Sequence, residues 1–158
     1  MDRYKDLTTP IEVSGPFYTE EDCVNHECIA AIIRDDNGKI LMMDHVKMNC
    51  WAVPVGKVKR GDDTHGTLRE EMLEELGIEV IDYNEIISFI RPYIINDIYH
   101  VDVVYHIFDI LKYSGDIKNL EPHKHRSIKF ISMDEIIKLE RISTATKATL
   151  IYNGYKIK

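Results

Sequence analysis

Apolar residues run almost without a break through Cys28-Ile29-Ala30-Ala31-Ile32-Ile33, which predicts a buried strand over residues 27–34. Asp35-Asp36-Asn37-Gly38 follows, a turn signal in which Asn-Gly readily supplies positive φ angles. Residues 39–44 return as the partner strand, so the pair is expected to be a β-hairpin. Thr64–Leu76 reads as the clearest helix. Asp62, Asp63 and Thr64 offer capping oxygens before it, and Gly77 stands where a left-handed cap is wanted. Further strands are expected at 85–91, 99–111 and 127–132, the second rich in Val, Ile, Tyr and Phe. Residues 112–126, with Gly115 and Pro122, read as loop, and short helices are expected at 133–140 and 144–152. Residues 1–25 are mixed and read as an arm or an edge strand. Strands outnumber helices in irregular order, which favours an α+β fold over a doubly wound sheet.

A chain of 158 residues has room for one domain with a real core, taken as 1–158. No apolar run approaches the roughly 20 residues that span a bilayer, and the polar start Met1-Asp2-Arg3-Tyr4-Lys5 is unlike a signal peptide. A cytoplasmic protein with no membrane partner is therefore expected. Cys23, Cys28 and Cys50 form no C-x-x-C pair, which fits reduced thiols better than a disulfide framework or a zinc site. The formal net charge of -7 argues against broad nucleic-acid binding. It still permits a small phosphorylated substrate, provided that metal or local Lys and Arg bridge the two.

Candidate chemistry concentrates in residues 56–78. At about 100° per residue, Glu71, Glu74 and Glu75 fall within one arc of the helix, with Leu68, Met72, Leu76 and Leu73 expected to face away from it. Crowded like charges destabilise a helix, and a divalent cation would relieve them; oxygen ligands suit magnesium or manganese. A merely solvated acidic face is the alternative. The preceding stretch, Trp51-Ala52-Val53-Pro54-Val55-Gly56-Lys57-Val58-Lys59-Arg60-Gly61-Asp62, combines two glycines with three cations. Glycine lets the backbone approach a metal or phosphate closely, and Lys or Arg can receive phosphate oxygens. Trp51 reads equally as a substrate contact or a core aromatic.

These residues resemble the Nudix family, whose box is written G-x5-E-x7-R-E-U-x-E-E-x-G-U, with U a bulky aliphatic. Gly56, Asp62 and Glu70-Glu71-Met72-Leu73-Glu74-Glu75-Leu76-Gly77-Ile78 stand at that spacing. The upstream Trp51-x-x-Pro54-x-Gly56-Lys57-Val58 is also similar to the family's entry into the box. The resemblance implies an α/β/α sandwich around a mixed sheet, and hydrolysis of a nucleoside diphosphate linked to another moiety. It implies Glu71, Glu74 and Glu75 as metal ligands, with the Gly56 carbonyl as a further one. Metals in such a site neutralise the diphosphate, activate water and stabilise charge on the leaving phosphate. Trp51, Lys57, Lys59 and Glu121 are the candidate substrate contacts. Family members are often dimers, which leaves a homodimer open.

Two box positions depart: Asp62 stands for the family's Glu, and Glu70 for its Arg. An Asp and a Glu would then face each other, with Lys57, Lys59 or Arg60 as replacement cations from the loop. Val55 also stands where a glycine is common. Downstream, Glu121-Pro122-His123-Lys124-His125-Arg126 resembles a loop that contributes an acid or a histidine in related enzymes. His125 falls where the mannosyl-hydrolysing branch places a general base, a task suited to a group titrating near neutrality. The full Glu-x-x-Glu-Glu set argues instead for attack at phosphorus. The expected activity is cleavage of a nucleoside triphosphate or nucleotide sugar, with Glu71, Glu74, Asp62 and His125 as catalytic candidates. The rivals are a weakened Nudix domain that senses a nucleotide, a GDP-mannose-type glycosyl hydrolase using His125, and a hydrolase of capped RNA 5′ ends.

Overall fold

The computed structural model describes residues 9–155. Its strands are β1 (Ile11–Val13), β2 (His26–Ile33), β3 (Ile40–His45), β4 (Cys50–Ala52), β5 (Val55–Val58), β6 (Glu79–Ile95), β7 (Tyr99–Ser114) and β8 (His125–Ile131). Its helices are α1 (Thr64–Leu76), α2 (Met133–Ile136) and α3 (Thr144–Tyr152). The unbroken apolar run in β2 follows from its position. It lies between β5, antiparallel, and β7, parallel, so its edges are taken and both its faces are covered. Ile29, Ala31 and Ile33 pack with Leu68, Met72 and Leu76 of α1; Ala30 and Ile32 pack with Ala148 and Leu150 of α3. Helices therefore flank the sheets on both sides, in the α+β arrangement expected.

The strands divide into a mixed five-stranded sheet, β1-β6-β7-β2-β5, and a three-stranded sheet, β4-β3-β8. This overturns the hairpin expected across residues 35–38. The turn itself forms: the Gly38 N–H donates to the Asp35 carbonyl at 3.0 Å, and Gly38 has φ 76°. The strands then part, because β2 is already paired on both edges. Only a single bridge, Arg34 to Ile40, joins them before β3 turns to β4 and β8.

Other expectations need new limits: the strand expected at 99–111 runs on to Ser114 and the one expected at 127–132 starts at His125, which shortens the loop expected at 112–126. The strand expected at 85–91 extends over Glu79–Ile95 and carries Pro92 inside it, paired with Asp102 of β7. Register shifts at Val80/Asp82, Asp82/Tyr83 and Glu85/Ile87 keep this long ribbon irregular. The helix expected at 133–140 ends at Ile136 after one turn capped by Ser132.

α1 has the limits its sequence predicts. Asp63 caps it by accepting from the His65 and Gly66 N–H groups, and Gly77 closes it in the left-handed conformation at φ 70°. The division of its faces differs from expectation. Leu73 is 59% exposed, whereas Glu75 is buried beside Leu68, Met72 and Leu76. The geometry explains both: Glu75 lies about 20° from Leu68 around the helix, and Leu73 about 140° from it. The α1 stripe is thus apolar with one carboxylate set into its border.

Leu68→Ala or Met72→Ala should lower stability by about 3 kcal/mol, the cost of a core cavity. Leu73→Ala should change it by less than about 0.5 kcal/mol. Urea denaturation of the three variants tests this division of the helix.

Candidate active site

β5 and α1 meet at Gly56. A Cβ built there would lie 2.6 Å from the Cδ of Glu71 and 2.9 Å from its Oε2, so only glycine lets the carboxylate lie across this strand. Glu71 is half-buried, Glu74 exposed and Glu75 buried. Burial pushes the Glu71 carboxyl upward, with repulsion from Glu74 adding to it; burial and repulsion from Glu71 do the same to Glu75. Glu71 and Glu75 share a hydrogen bond, yet the buried Oε2 of Glu75 has no partner among the described residues.

The loop after β7 brings further charges to these carboxylates. Gly115, at φ 97°, lies against the backbone of Gly77, where a Cβ would come within 2.9 Å of the Gly77 oxygen. The Lys118 and Leu120 N–H groups then donate to the last carbonyls of α1, those of Leu76 and Glu75, at 3.0 and 3.1 Å. Stitched this way, the loop places Glu121 and Lys124, paired at 3.0 Å, within electrostatic reach of Glu71 and Glu75.

Beside this wall opens a cavity of about 670 Å³, lined by Gly56, Glu71, Glu75, Lys57, Lys124 and His125 among others. His125 starts β8 opposite His45 of β3, and the two rings meet edge to face at 4.8 Å. Burial holds both imidazoles below their ordinary range, His45 at about 4 with repulsion from His125 adding to it, and His125 with Lys124 and His123 adding against the opposing Glu121. His125 is only 1% exposed, and its Nδ1 and the His45 Nε2 lack hydrogen-bond partners among the described residues. Both are therefore neutral near pH 7.

The other expected residues are placed unevenly. Asp62 and Glu70 line one small hollow of about 80 Å³ with Glu74, Lys57 and Lys59. Lys59 thus borders the two departures from the box, whereas the Lys57 ammonium is paired with Asp22. Arg69 points elsewhere, its guanidinium donating to the Tyr83 hydroxyl at 2.8 Å. Glu121 sits at the cavity's edge through Lys124. Trp51 lies outside the cavity: its ring packs against the core, under the Lys129 ammonium at 5.3 Å.

Residues 24–151 match the NUDIX domain family. The chain belongs to the Nudix family. This Nudix domain is similar in fold to a MutT Nudix hydrolase from Burkholderia pseudomallei, with a TM-score of 0.68, 21% identity, and coverage of 81% of this chain and 97% of that one. The ORF135 protein of E. coli gives a TM-score of 0.67 at 23% identity, covering 86% and 93%. Among curated proteins, mRNA-decapping enzyme subunit 2 of Saccharomyces cerevisiae is 23% identical over 90 residues, 57% of this chain. That match spans only 9% of the yeast protein's length. Nudix hydrolases act on diphosphate linkages and generally use divalent metals.

Sequence reading had missed three residues of the Nudix cavity: Asp22, His45 and Lys47. Asp22 is buried in the segment before β2. Burial raises its carboxyl, but hydrogen bonds from Lys47, Lys57 and Thr19 outweigh that and hold it well below the usual carboxylate range. His45 was legible only as the residue after an expected strand end.

The neutral His45 gives stability a definite pH dependence. Unfolded, its imidazole takes up a proton near the ordinary 6.5; folded, only near about 4. Its contribution is complete above 6.5 and is lost as pH falls from 6.5 towards 4. Between pH 7 and 4.5 the wild type should lose about 2 kcal/mol more than His45→Gln, read from urea denaturation at both pH values.

Proposed function

We propose that this Nudix domain hydrolyses a phosphoanhydride in a nucleoside-diphosphate-linked substrate, with a divalent cation held by Glu71, Glu74, Glu75 and the Gly56 carbonyl. The observation that carries the reading is the buried Glu75 oxygen with no partner, beside Glu71 lying over Gly56. A desolvated, mutually repelling carboxylate pair is costly unless a cation or proton neutralises it. The donors are all hard oxygens, the set that magnesium and manganese prefer. Among the described residues no three His, Cys, Asp or Glu side chains already converge as a metal-binding group. Glu71 and Glu75 instead lie in hydrogen-bond contact with each other, which a bound cation would replace.

When bound, the cation neutralises the diphosphate and activates water. The residues of the chain supply the rest. Glu71, fixed against the Gly56 backbone, sets the distance between the α1 face and β5. Lys124 and Lys57 offer ammonium donors at the cavity wall for phosphate oxygens. His125, neutral and enclosed by His45, can accept a proton only after its ring is uncovered; this favours attack at phosphorus by carboxylate-held water over a glycosyl hydrolysis that depends on His125. Lys59, which lines the small hollow with Glu70, Glu74 and Asp62, is the cation placed to stand in for the missing box arginine. A nucleotide substrate fits the cavity of about 670 Å³.

Hydrolysis should be assayed with magnesium or manganese on nucleoside triphosphates, nucleotide sugars, dinucleoside polyphosphates and capped RNA. The RNA arm is included because of the yeast decapping match. Glu75→Gln should lower kcat at least about 100-fold while leaving stability in EDTA unchanged or raised. Full activity in both Glu74→Gln and Glu75→Gln would defeat the assignment, and binding without turnover across the panel would point to a nucleotide sensor.

Gly56→Ala provides an independent check. Its methyl group must displace Glu71, and a carboxylate moved by about 1 Å costs roughly 100-fold in rate. Circular dichroism should show the fold retained while turnover falls.

A further inference from the structure

Lys57 follows Gly56 along β5, so its side chain leaves the opposite face of the strand from the one that meets α1. There it meets Asp22, together with Lys47 from the turn after β3. Asp22 Oδ2 accepts from the Thr19 N–H at 2.8 Å, the Thr19 hydroxyl at 3.1 Å and the Lys47 ammonium at 2.8 Å; Oδ1 accepts from Lys57. Both carboxylate oxygens are thus engaged, and their orientation is fixed.

The exposures decide which charge the cavity sees. The Asp22 side chain is 11% exposed, against 42% for Lys47 and 37% for Lys57. The negative charge is shielded and the two positive ones face outward, leaving a net charge of about +1 on the cluster. An ammonium has three N–H donors, and Asp22 takes one from each lysine. Among the described residues, four donors stay without an acceptor in one place, close to the ring of Tyr18, over which the Lys47 Nζ lies at 5.4 Å. Two ammoniums would not gather beside one another without the shielded carboxylate between them. Asp22 is therefore a positioning residue, and the lysines are the recognition groups.

We propose that Lys47 and Lys57, set side by side by Asp22, form a second anion subsite of the cavity, which takes a phosphate beyond the anhydride at α1 and makes the site select polyphosphates over nucleotide sugars. This rests on the reading that the α1 carboxylates serve an anhydride, but the subsite is testable without turnover. Calorimetry of inorganic tripolyphosphate against the full chain, without added metal, should show binding that weakens about tenfold in Lys47→Met. Equal binding by wild type and Lys47→Met, or none by the wild type, would overturn the subsite whatever the activity.

Turnover supplies the second readout. The ratio of kcat/KM for a nucleoside triphosphate to that for a nucleotide sugar of the same base should fall about tenfold in Lys47→Met, through KM. Asp22→Asn should shift the ratio the same way and Asp22→Glu restore part of it; a residue needed only for folding would lower both substrates together. An unchanged ratio in both Lys47→Met and Asp22→Asn overturns the proposal. Absence of all hydrolysis with tripolyphosphate binding intact would instead reject the anhydride reading and leave the subsite standing.

Discussion

The close approach of Glu71 to the backbone at Gly56 is the contact on which the rest of the site depends. It exists because two requirements meet at one strand edge. Leu68, Met72 and Leu76 draw α1 onto Ile29, Ala31 and Ile33, which fixes the depth at which the helix lies. At that depth a side chain at position 56 of β5 would collide with Glu71, so glycine stands there. Helix burial contributes the favourable free energy, and part of it is offset by the desolvation of Glu71 and Glu75. The carboxylates are raised towards their neutral form because the apolar stripe beside them cannot be moved outward without losing core contacts.

The same helix organises the far side of the cavity through its end. Its terminal carbonyls accept from Lys118 and Leu120, and the contact of Gly115 with Gly77 lets the incoming loop lie close. From there the chain has only a short path to Glu121, Lys124 and His125, so their positions follow from how α1 stops. The histidine pair then depends on the small sheet: His125 faces His45 only because β8 pairs with β3 through a shifted register between Asp44 and His45. Two sheets and one helix end are needed to bring a lysine, a carboxylate and two imidazoles to one cavity.

Features set within a few residues were legible in the chain. The limits of α1 could be read because Asp63 and Gly77 perform their capping chemistry locally, and the arc of Glu71, Glu74 and Glu75 follows from helical geometry alone. What the wheel did not reveal was which side of that arc the core would reach; burial of Glu75 and exposure of Leu73 depend on where the sheet lies. The hairpin expectation failed for a related reason. Asp35–Gly38 encodes a reversal, but whether the two strands pair afterwards depends on β5 and β7, which arrive later in the sequence. Asp22 has no signal of its own at all, since Thr19, Lys47 and Lys57 reach it from three separate segments.

These placements also bear on the anion proposed for this acidic chain. A net charge of -7 opposes a polyphosphate at long range, but screening confines that repulsion to about 10 Å or less at ordinary ionic strength. Inside the cavity the relevant charges are local. On the α1 wall, burial raises the Glu71 and Glu75 carboxyls towards their neutral form; on the β5 wall, a buried Asp22 turns two ammoniums outward. The β5 wall of the cavity is therefore less negative than the net charge of the chain suggests. An acidic surface and a locally positive β5 wall therefore do not conflict.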